Sequence, residues 1–264
     1  MNRVGRIKLK QLIGPKFYSQ LWEFASSLHG VDQYRDLAKR LPAFAPRTIF
    51  DIGANIGQSA DRLLRWYPDA SIHCFEPADS TYRMLAANMR PFSRVHCHRL
   101  AMSSGSGTAK MLIYGPGDVA NRLQSDTVVR NDGKSTGIED VDVTTIDAFC
   151  ERYRIDFIDY LKIDAEGHDL DVLHGADGML TSQRCGIVQV ECGMNPTPAK
   201  HIGYAELDSY LRNKGFVLFG IYMQANGDPA RPVLTHADWV FVGELLLRHP
   251  LKPVNVSALP ASAV

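Results

Sequence analysis

Thr48-Ile49-Phe50-Asp51-Ile52-Gly53-Ala54-Asn55-Ile56-Gly57-Gln58 is the stretch that decides how this chain is read. An apolar strand runs into Asp51, a turn carrying Gly53 and Gly57 follows, and a helix opens at Gln58-Ser59. Glycine accepts positive φ and has no Cβ, so such a turn lets the backbone lie against a small ligand. The N–H groups at the start of the helix then face the ligand's polar end. About 25 residues on, a second apolar strand, Ser71-Ile72-His73-Cys74-Phe75, ends in Glu76-Pro77. An acidic residue at the tip of the neighbouring strand suits the hydroxyls of a ribose. Together the two strands point to a ligand that contains a nucleoside.

The turn departs from the dinucleotide fingerprint Gly-x-Gly-x-x-Gly. It reads Asp-x-Gly-x-Asn-x-Gly, with Asn55 where the backbone would approach a pyrophosphate. Asp51 at the strand tip would also set one negative group against another in a low-dielectric site. A ligand with an ammonium and a carboxylate but no phosphate fits better. S-adenosylmethionine is such a ligand, bringing a cationic amine and a sulfonium near Asp51. Asn55 counts against the alternative of an NAD-dependent oxidoreductase on a related sheet. Intact residues at every strand tip count against a non-catalytic partner protein that has kept the fold. A tight turn with no ligand is the bland alternative.

Composition narrows the class without naming it. The 264 residues suffice for one large α/β domain with an appendage, and 45% hydrophobic with 22% charged residues is ordinary for a globular protein. Twenty-nine basic residues balance twenty-nine acidic ones, which argues against broad nucleic-acid binding, although Arg3, Arg6, Lys8 and Lys10 form a local patch. Cys74, Cys97, Cys150, Cys185 and Cys192 show no Cys-x-x-Cys pair and no zinc-ligand spacing. They are read as reduced and structural, and the compartment as cytoplasmic. No stretch reads as a signal peptide or a transmembrane segment.

Residues 1–45 read as a helical cap, with Leu12, Phe17, Leu21, Phe24 and Leu28 at mostly helical spacing and a second helix over 31–41. From Thr48, strands and helices alternate, which predicts a mostly parallel sheet covered on both faces. Strands are expected at 48–52, 71–75, 94–98, 108–114, 141–143, 160–164 and 187–191. Residues 216–222 and 239–242 read as a closing antiparallel pair. Asp79 is the expected cap of one helix, and Thr145 or Asp147 opens another. Residues 115–140, rich in Gly, Asp, Asn and Ser, read as a mobile loop, and 247–264 as a flexible tail.

Ligands of such sheets bind outside the carboxyl ends of the strands. Here those ends carry Asp51 to Gly57, Glu76, Ala101, Asp164 to His168, and Glu191 to Asn195. Methyl transfer from a sulfonium is an in-line displacement, so alignment of oxygen, carbon and sulfur comes first. A carbinol hydroxyl also benefits from a positioned base or a metal. Asp164, Glu166 and His168 are spaced two apart after a strand, and Glu191 can join them from the next strand. His168 is the best single base by its intrinsic pKa, with Asp164 and Glu191 as the other catalytic candidates. Asp164, Glu166 and Glu191 are the oxygen ligands a Mg²⁺ ion would use, if one is needed. The bland alternatives are equally specific: His168 caps the next helix, Glu166 bonds its own turn, and Lys162 pairs with Asp164. Asn195-Pro196-Thr197-Pro198 is taken as a pocket-wall turn.

Four motifs together resemble the FkbM family of S-adenosylmethionine-dependent methyltransferases: Phe50 to Gly57, Phe75-Glu76-Pro77, Val143-Thr144-Thr145-Ile146-Asp147, and Leu161-Lys162-Ile163-Asp164-Ala165-Glu166-Gly167-His168-Asp169. The first two are shared by many class I methyltransferases; the last two are more particular to this family. The likeness implies a Rossmann-like class I fold with a seven-stranded sheet, over a domain of about 46–246. It implies that Asp51, Gly53, Asn55 and Gly57 line the methionine and ribose, that Glu76 takes the ribose hydroxyls, and that Ala101 borders the adenine. It further implies an O-methyltransferase acting on a hydroxyl of a sugar, glycolipid or polyketide-type small molecule. A homodimer is the commonest default, but no feature demands one.

Overall fold

The structure, a computed structural model, describes residues 30–124, 135–195, 201–228 and 231–248. The chain divides into two units, Met1–Phe44 with Leu251–Val264, and Ala45–Pro250. In the first unit, Asp32 caps helix α1 (Gln33–Arg40) by accepting from the N–H groups of Tyr34 and Arg35. The expected helix through Leu12 to Leu28, and all of the tail beyond Arg248, lie outside the described residues.

The larger unit is built on seven strands: β1 (Thr48–Ile52), β2 (Ser71–Phe75), β3 (Val95–His98), β8 (Ile158–Ile163), β9 (Cys185–Gly193), β10 (Phe216–Asp228) and β11 (Arg231–Gly243). Their order is β10-β11-β9-β8-β1-β2-β3. β3, β2, β1, β8 and β9 run parallel, while β11 is antiparallel to both β9 and β10. This is the mostly parallel sheet expected of a class I methyltransferase fold. Strand order reverses between β1 and β8, so the carboxyl ends of β1, β2, β8 and β9 border one crevice.

The local sequence explains the central strands. β8 and β9 are mostly apolar and buried almost throughout, as the central strands of a parallel sheet covered on both faces must be. Helices α2 (Gln58–Trp66), α3 (Asp79–Met89), α4 (Ile146–Tyr153), α5 (Asp169–His174), α6 (Asp177–Thr181) and α7 (Tyr204–Asn213) connect them, and α8 (Glu244–Arg248) follows β11. Phe50, Phe75 and Phe149 interlock in the core, with the Phe75 and Phe149 rings 4.9 Å apart at 83°. Such edge-to-face pairs add about 1 kcal/mol beyond their burial. All five cysteines are unpaired. No described helix is long and apolar enough to cross a membrane.

Two expectations are corrected. Residues 115–140 are not simply a loop: β6 (Arg122–Leu123) and the start of β7 (Gly137–Thr144) lie there. With β4 (Ala101–Met102) and β5 (Gly107–Ile113) they form a second sheet, ordered β4-β7-β5-β6, packed on Ala78, Ala101, Met111 and Val141. Asp79 does not cap α3, which begins at Asp79 itself. Its N–H is received by the Glu139 carboxylate, and its side chain pairs with Arg83 and Arg99. Thr145 does cap α4, accepting from Ala148 N, while the Asp147 carboxylate receives Gly178 N and Met179 N at the start of α6.

Candidate active site

The turn after β1 is fixed by two close approaches. Gly53 has φ +74°, and a Cβ there would lie 1.9 Å from the carbonyl oxygen of Asp164. No side chain fits, so the exits of β1 and β8 touch backbone to backbone. Gly57 has φ +100° and faces the Met89 side chain. Between them, Asn55 takes φ +49°, a conformation that asparagine tolerates better than most residues. Its Oδ1 accepts from Ile56 N at 2.7 Å, and its Nδ2 donates to Gly117 O.

Glu76 ties this turn to the next strand. Its two carboxylate oxygens accept from Asn55 N at 3.2 Å and from Ala78 N at 3.1 Å. Burial pushes its pKa up to about 7, while the two N–H donors pull the other way. Glu76 therefore titrates in the neutral range.

Behind it, Asp51 is fully buried. Lys162, its partner in the β1–β8 register, brings Nζ within 3.3 Å of Asp51 Oδ1 and 3.3 Å of Asp164 Oδ2. The expected Lys162–Asp164 pair is present, and Lys162 is shared with Asp51. Desolvation raises the Asp51 pKa against the pull of Lys162, and Oδ2 has no hydrogen-bond partner. A buried carboxylate oxygen left in this state is costly unless something cationic or hydrogen-donating approaches it.

A solvent-open cleft of about 440 Å³ lies between these exits, walled in part by Gly53, Glu76, Ala101, Asp164, Glu166 and His168. Sequence reasoning named all six. Asp51, Asn55, Gly57 and Glu191 are not in its wall. The residues present fit S-adenosylmethionine: a glycine turn whose backbone enters the cleft wall, a carboxylate at the neighbouring strand tip, and the buried Asp51–Lys162 pair beneath them.

His168 is held at both ring nitrogens. Nε2 lies 2.7 Å from Ser103 Oγ, and Nδ1 lies 3.2 Å from Asp171 Oδ2. Burial lowers its pKa and Asp171 opposes that, so the ring is neutral at neutral pH. With Asp171 accepting from Nδ1–H, Nε2 accepts from the Ser103 hydroxyl. The imidazole links the end of β4 to the start of α5, and its side chain does not cap that helix. The turn between β8 and α5 is bonded by Asp169, whose carboxylate receives Ala165 N and Gly167 N, each at 3.1 Å.

The end of β9 holds a group that sequence reasoning found only in part. Glu191 Oε2 is 3.1 Å from His201 Nδ1, and Glu191 Oε1 is 3.4 Å from His236 Nε2. The β9–β11 register sets His236 opposite Gly193, and Gly193 N donates to Ile202 O, which draws His201 in. Burial pulls the His201 pKa down, but Glu191, with Glu166 and Asp169, outweighs it and the net shift is upward. Among the described residues, these three are the one group of His, Cys, Asp or Glu side chains with donor atoms close enough to share an ion. Asp164 and Glu166, expected to accompany Glu191, are not in it. The histidines carried no local signal; only the strand pairing brings them together.

Residues 51–218 match the profile of the methyltransferase FkbM domain. The 2-O-methyltransferase NoeI of Sinorhizobium fredii is 28% identical over 198 residues, covering 69% of this chain and 79% of its own. The methyltransferase sdnD of Sordaria araneosa is 32% identical over 156 residues, 49% of this chain and 60% of that one. The hexuronic acid methyltransferase AglP of Haloferax volcanii is 27% identical over 176 residues, 64% of this chain and 69% of that one.

Proposed function

This chain belongs to the FkbM family of S-adenosylmethionine-dependent methyltransferases, and from that membership we propose that it methylates a hydroxyl group of a sugar-type small molecule. The names of two relatives, a 2-O-methyltransferase and a hexuronic acid methyltransferase, support a sugar acceptor. When bound, S-adenosylmethionine supplies a methyl group made electrophilic by a sulfonium.

The protein's part is binding, alignment and proton removal. Gly53, in the cleft wall, brings the β1 turn against the backbone of Asp164, and Asn55 and Gly57 hold the turn in shape. Asp51, paired with Lys162 beneath the turn, acts on the donor's positive charge only from behind the cleft wall. Glu76 offers its carboxylate to the ribose hydroxyls, and Ala101 borders the adenine. On the acceptor side, Asp164 lines the same cleft with its side chain 40% exposed, and Lys162 holds one of its oxygens. We assign Asp164 the proton of the incoming hydroxyl. His168, with both nitrogens engaged, keeps β4 and the Asp164–His168 turn in register.

The close approach of Gly53 to Asp164 carries this reading, because it sets the donor cradle beside the cleft's accessible carboxylate. The test is transfer of isotopic methyl from S-adenosylmethionine to a panel of uronic acids, neutral sugars and their O-blocked forms. The expected product is a methyl ether on a free hydroxyl, with none formed on the blocked sugars. Transfer to an amine or carbon instead would contradict the acceptor class.

A further inference from the structure

We propose that Glu191, His201 and His236 form a binding site for a divalent transition-metal ion. Donors held at about 2.0–2.2 Å around one ion lie about 3 Å from each other. Glu191 meets its two histidine nitrogens at 3.1 and 3.4 Å, and all the donor atoms lie within 4.8 Å of one another, a spacing that small side-chain adjustments bring onto one ion.

The hydrogen bonding points the same way. Thr235 Oγ1 donates its single proton to Ala225 O at 2.9 Å. Towards His236 Nδ1, at 3.2 Å, it can only accept, so Nδ1 carries the hydrogen. A neutral His236 then turns the lone pair of Nε2 towards Glu191 Oε1, and two acceptors face each other. A cation between them, either a proton or a metal ion, removes the conflict. An outer acceptor that fixes the tautomer is the usual support of a metal-binding histidine, and here Thr235 Oγ1 takes that place. On the other side, His201 Nδ1 is 3.1 Å from Glu191 Oε2 yet is buried without hydrogen-bond geometry.

Two imidazoles and one carboxylate favour Zn²⁺, Fe²⁺, Co²⁺ or Ni²⁺ over Mg²⁺, which prefers oxygen alone. Three protein ligands leave coordination positions open. The group lies at the carboxyl end of β9, beside the exit of β8, and Glu191 and Asp164 both act electrostatically on Asp169 and Asp238. An acceptor hydroxyl oxygen is the ligand that suits the open positions, and this role alone rests on the methyl-transfer reading above.

The experiment is a metal titration, which needs neither cofactor nor acceptor. Tag-free full-length protein is stripped with a chelator, then titrated with Zn²⁺ by calorimetry and with Co²⁺ by visible absorption. One equivalent of each is expected, with the Co²⁺ bands of a nitrogen- and oxygen-bound ion. Glu191→Gln and His236→Ala should each weaken Zn²⁺ by more than the roughly 10–100-fold that losing an outer-shell partner costs. Unchanged circular dichroism and S-adenosylmethionine binding would show that the variants are folded. Absence of stoichiometric binding in the wild type at pH 8 would overturn the proposal and leave a proton as the bridging cation. Unchanged affinity in both variants would overturn it as well. A metal bound with no O-methylation of any sugar would sink the acceptor reading and leave the site standing.

Discussion

At the exit of β2 the Glu76 carboxylate is buried and bonded to backbone N–H groups, and Asp51 of β1 is buried against Lys162, whereas at the exit of β9 and the facing stretch of β11 the polar side chains face one another and stay partly open. Glu76 spends its oxygens on Asn55 N and Ala78 N, and Asp51 is sealed beneath the turn. Glu191, His201 and His236 meet as three side chains from separate segments. The first arrangement suits a ligand that is always the same, because backbone geometry sets it. The second suits an acceptor side, where a few exchangeable side chains adapt one fold to many substrates.

The largest effect that would sharpen this contrast is expected from Gly53→Ala. The new Cβ must displace the Asp164 carbonyl and hold positive φ, so S-adenosylmethionine affinity should fall by at least about 100-fold. Zn²⁺ binding by the same variant should stay within about 3-fold of wild type. Calorimetry with both ligands reads the contrast directly, and parallel loss of both would break it.

Glu76→Gln should cost about 10-fold in cofactor affinity, the scale of one charge-assisted hydrogen bond. Its pH dependence is more diagnostic. The Glu76 pKa is raised to about 7, and ribose hydroxyls donate to the ionised form. Affinity should therefore rise as pH climbs from about 6 to 8, and the slope should vanish in Glu76→Gln. A slope that persists in the variant would assign the titration to another group.

His168→Ala should lower the melting temperature by several degrees, about 1–2 kcal/mol for two lost hydrogen bonds. Turnover should survive within about 10-fold, because the imidazole is a strut between Ser103 and Asp171. Abolished turnover in a folded variant, with cofactor binding intact, would restore His168 as the base.

The smallest effect concerns stability at the β2–β3 edge. His73 and His98 are held neutral by burial and by neighbouring histidines, each with its pKa lowered to about 4. The unfolded chain binds these protons first, so this contribution is present above about pH 6.5 and is lost as pH falls towards 4. The raised carboxyls Glu76, Asp169 and Asp238, at about 7, 6 and 6, act in the opposite sense: their contribution is present at low pH and fades as pH rises through those values. Melting scans of wild type and a His73→Phe, His98→Phe double variant isolate the histidine part. The wild type should lose a few degrees more than the variant between about pH 6.5 and 4.5.

The contrast between the two sites also explains what the sequence made legible. Asp51, Gly53, Asn55, Gly57 and Glu76 lie at or just after the ends of short apolar strands, so pattern alone reaches their places in the fold. The parallel core was legible for the same reason. β7 was legible only at 141–143; its first half was not, because Ile138 there is exposed while Val141 is buried. His201 and His236 were hidden because they meet only through the β9–β11 register and the Gly193–Ile202 bond. Pattern made His168 the candidate base, but its hydrogen-bond partners bear on its role, and Ser103 comes from the second sheet's edge.

The most direct test of the whole account is a calorimetric titration of S-adenosylmethionine into the wild-type protein. One equivalent should bind, and its demethylated product should displace it. No saturable binding of either molecule would contradict the account at its centre.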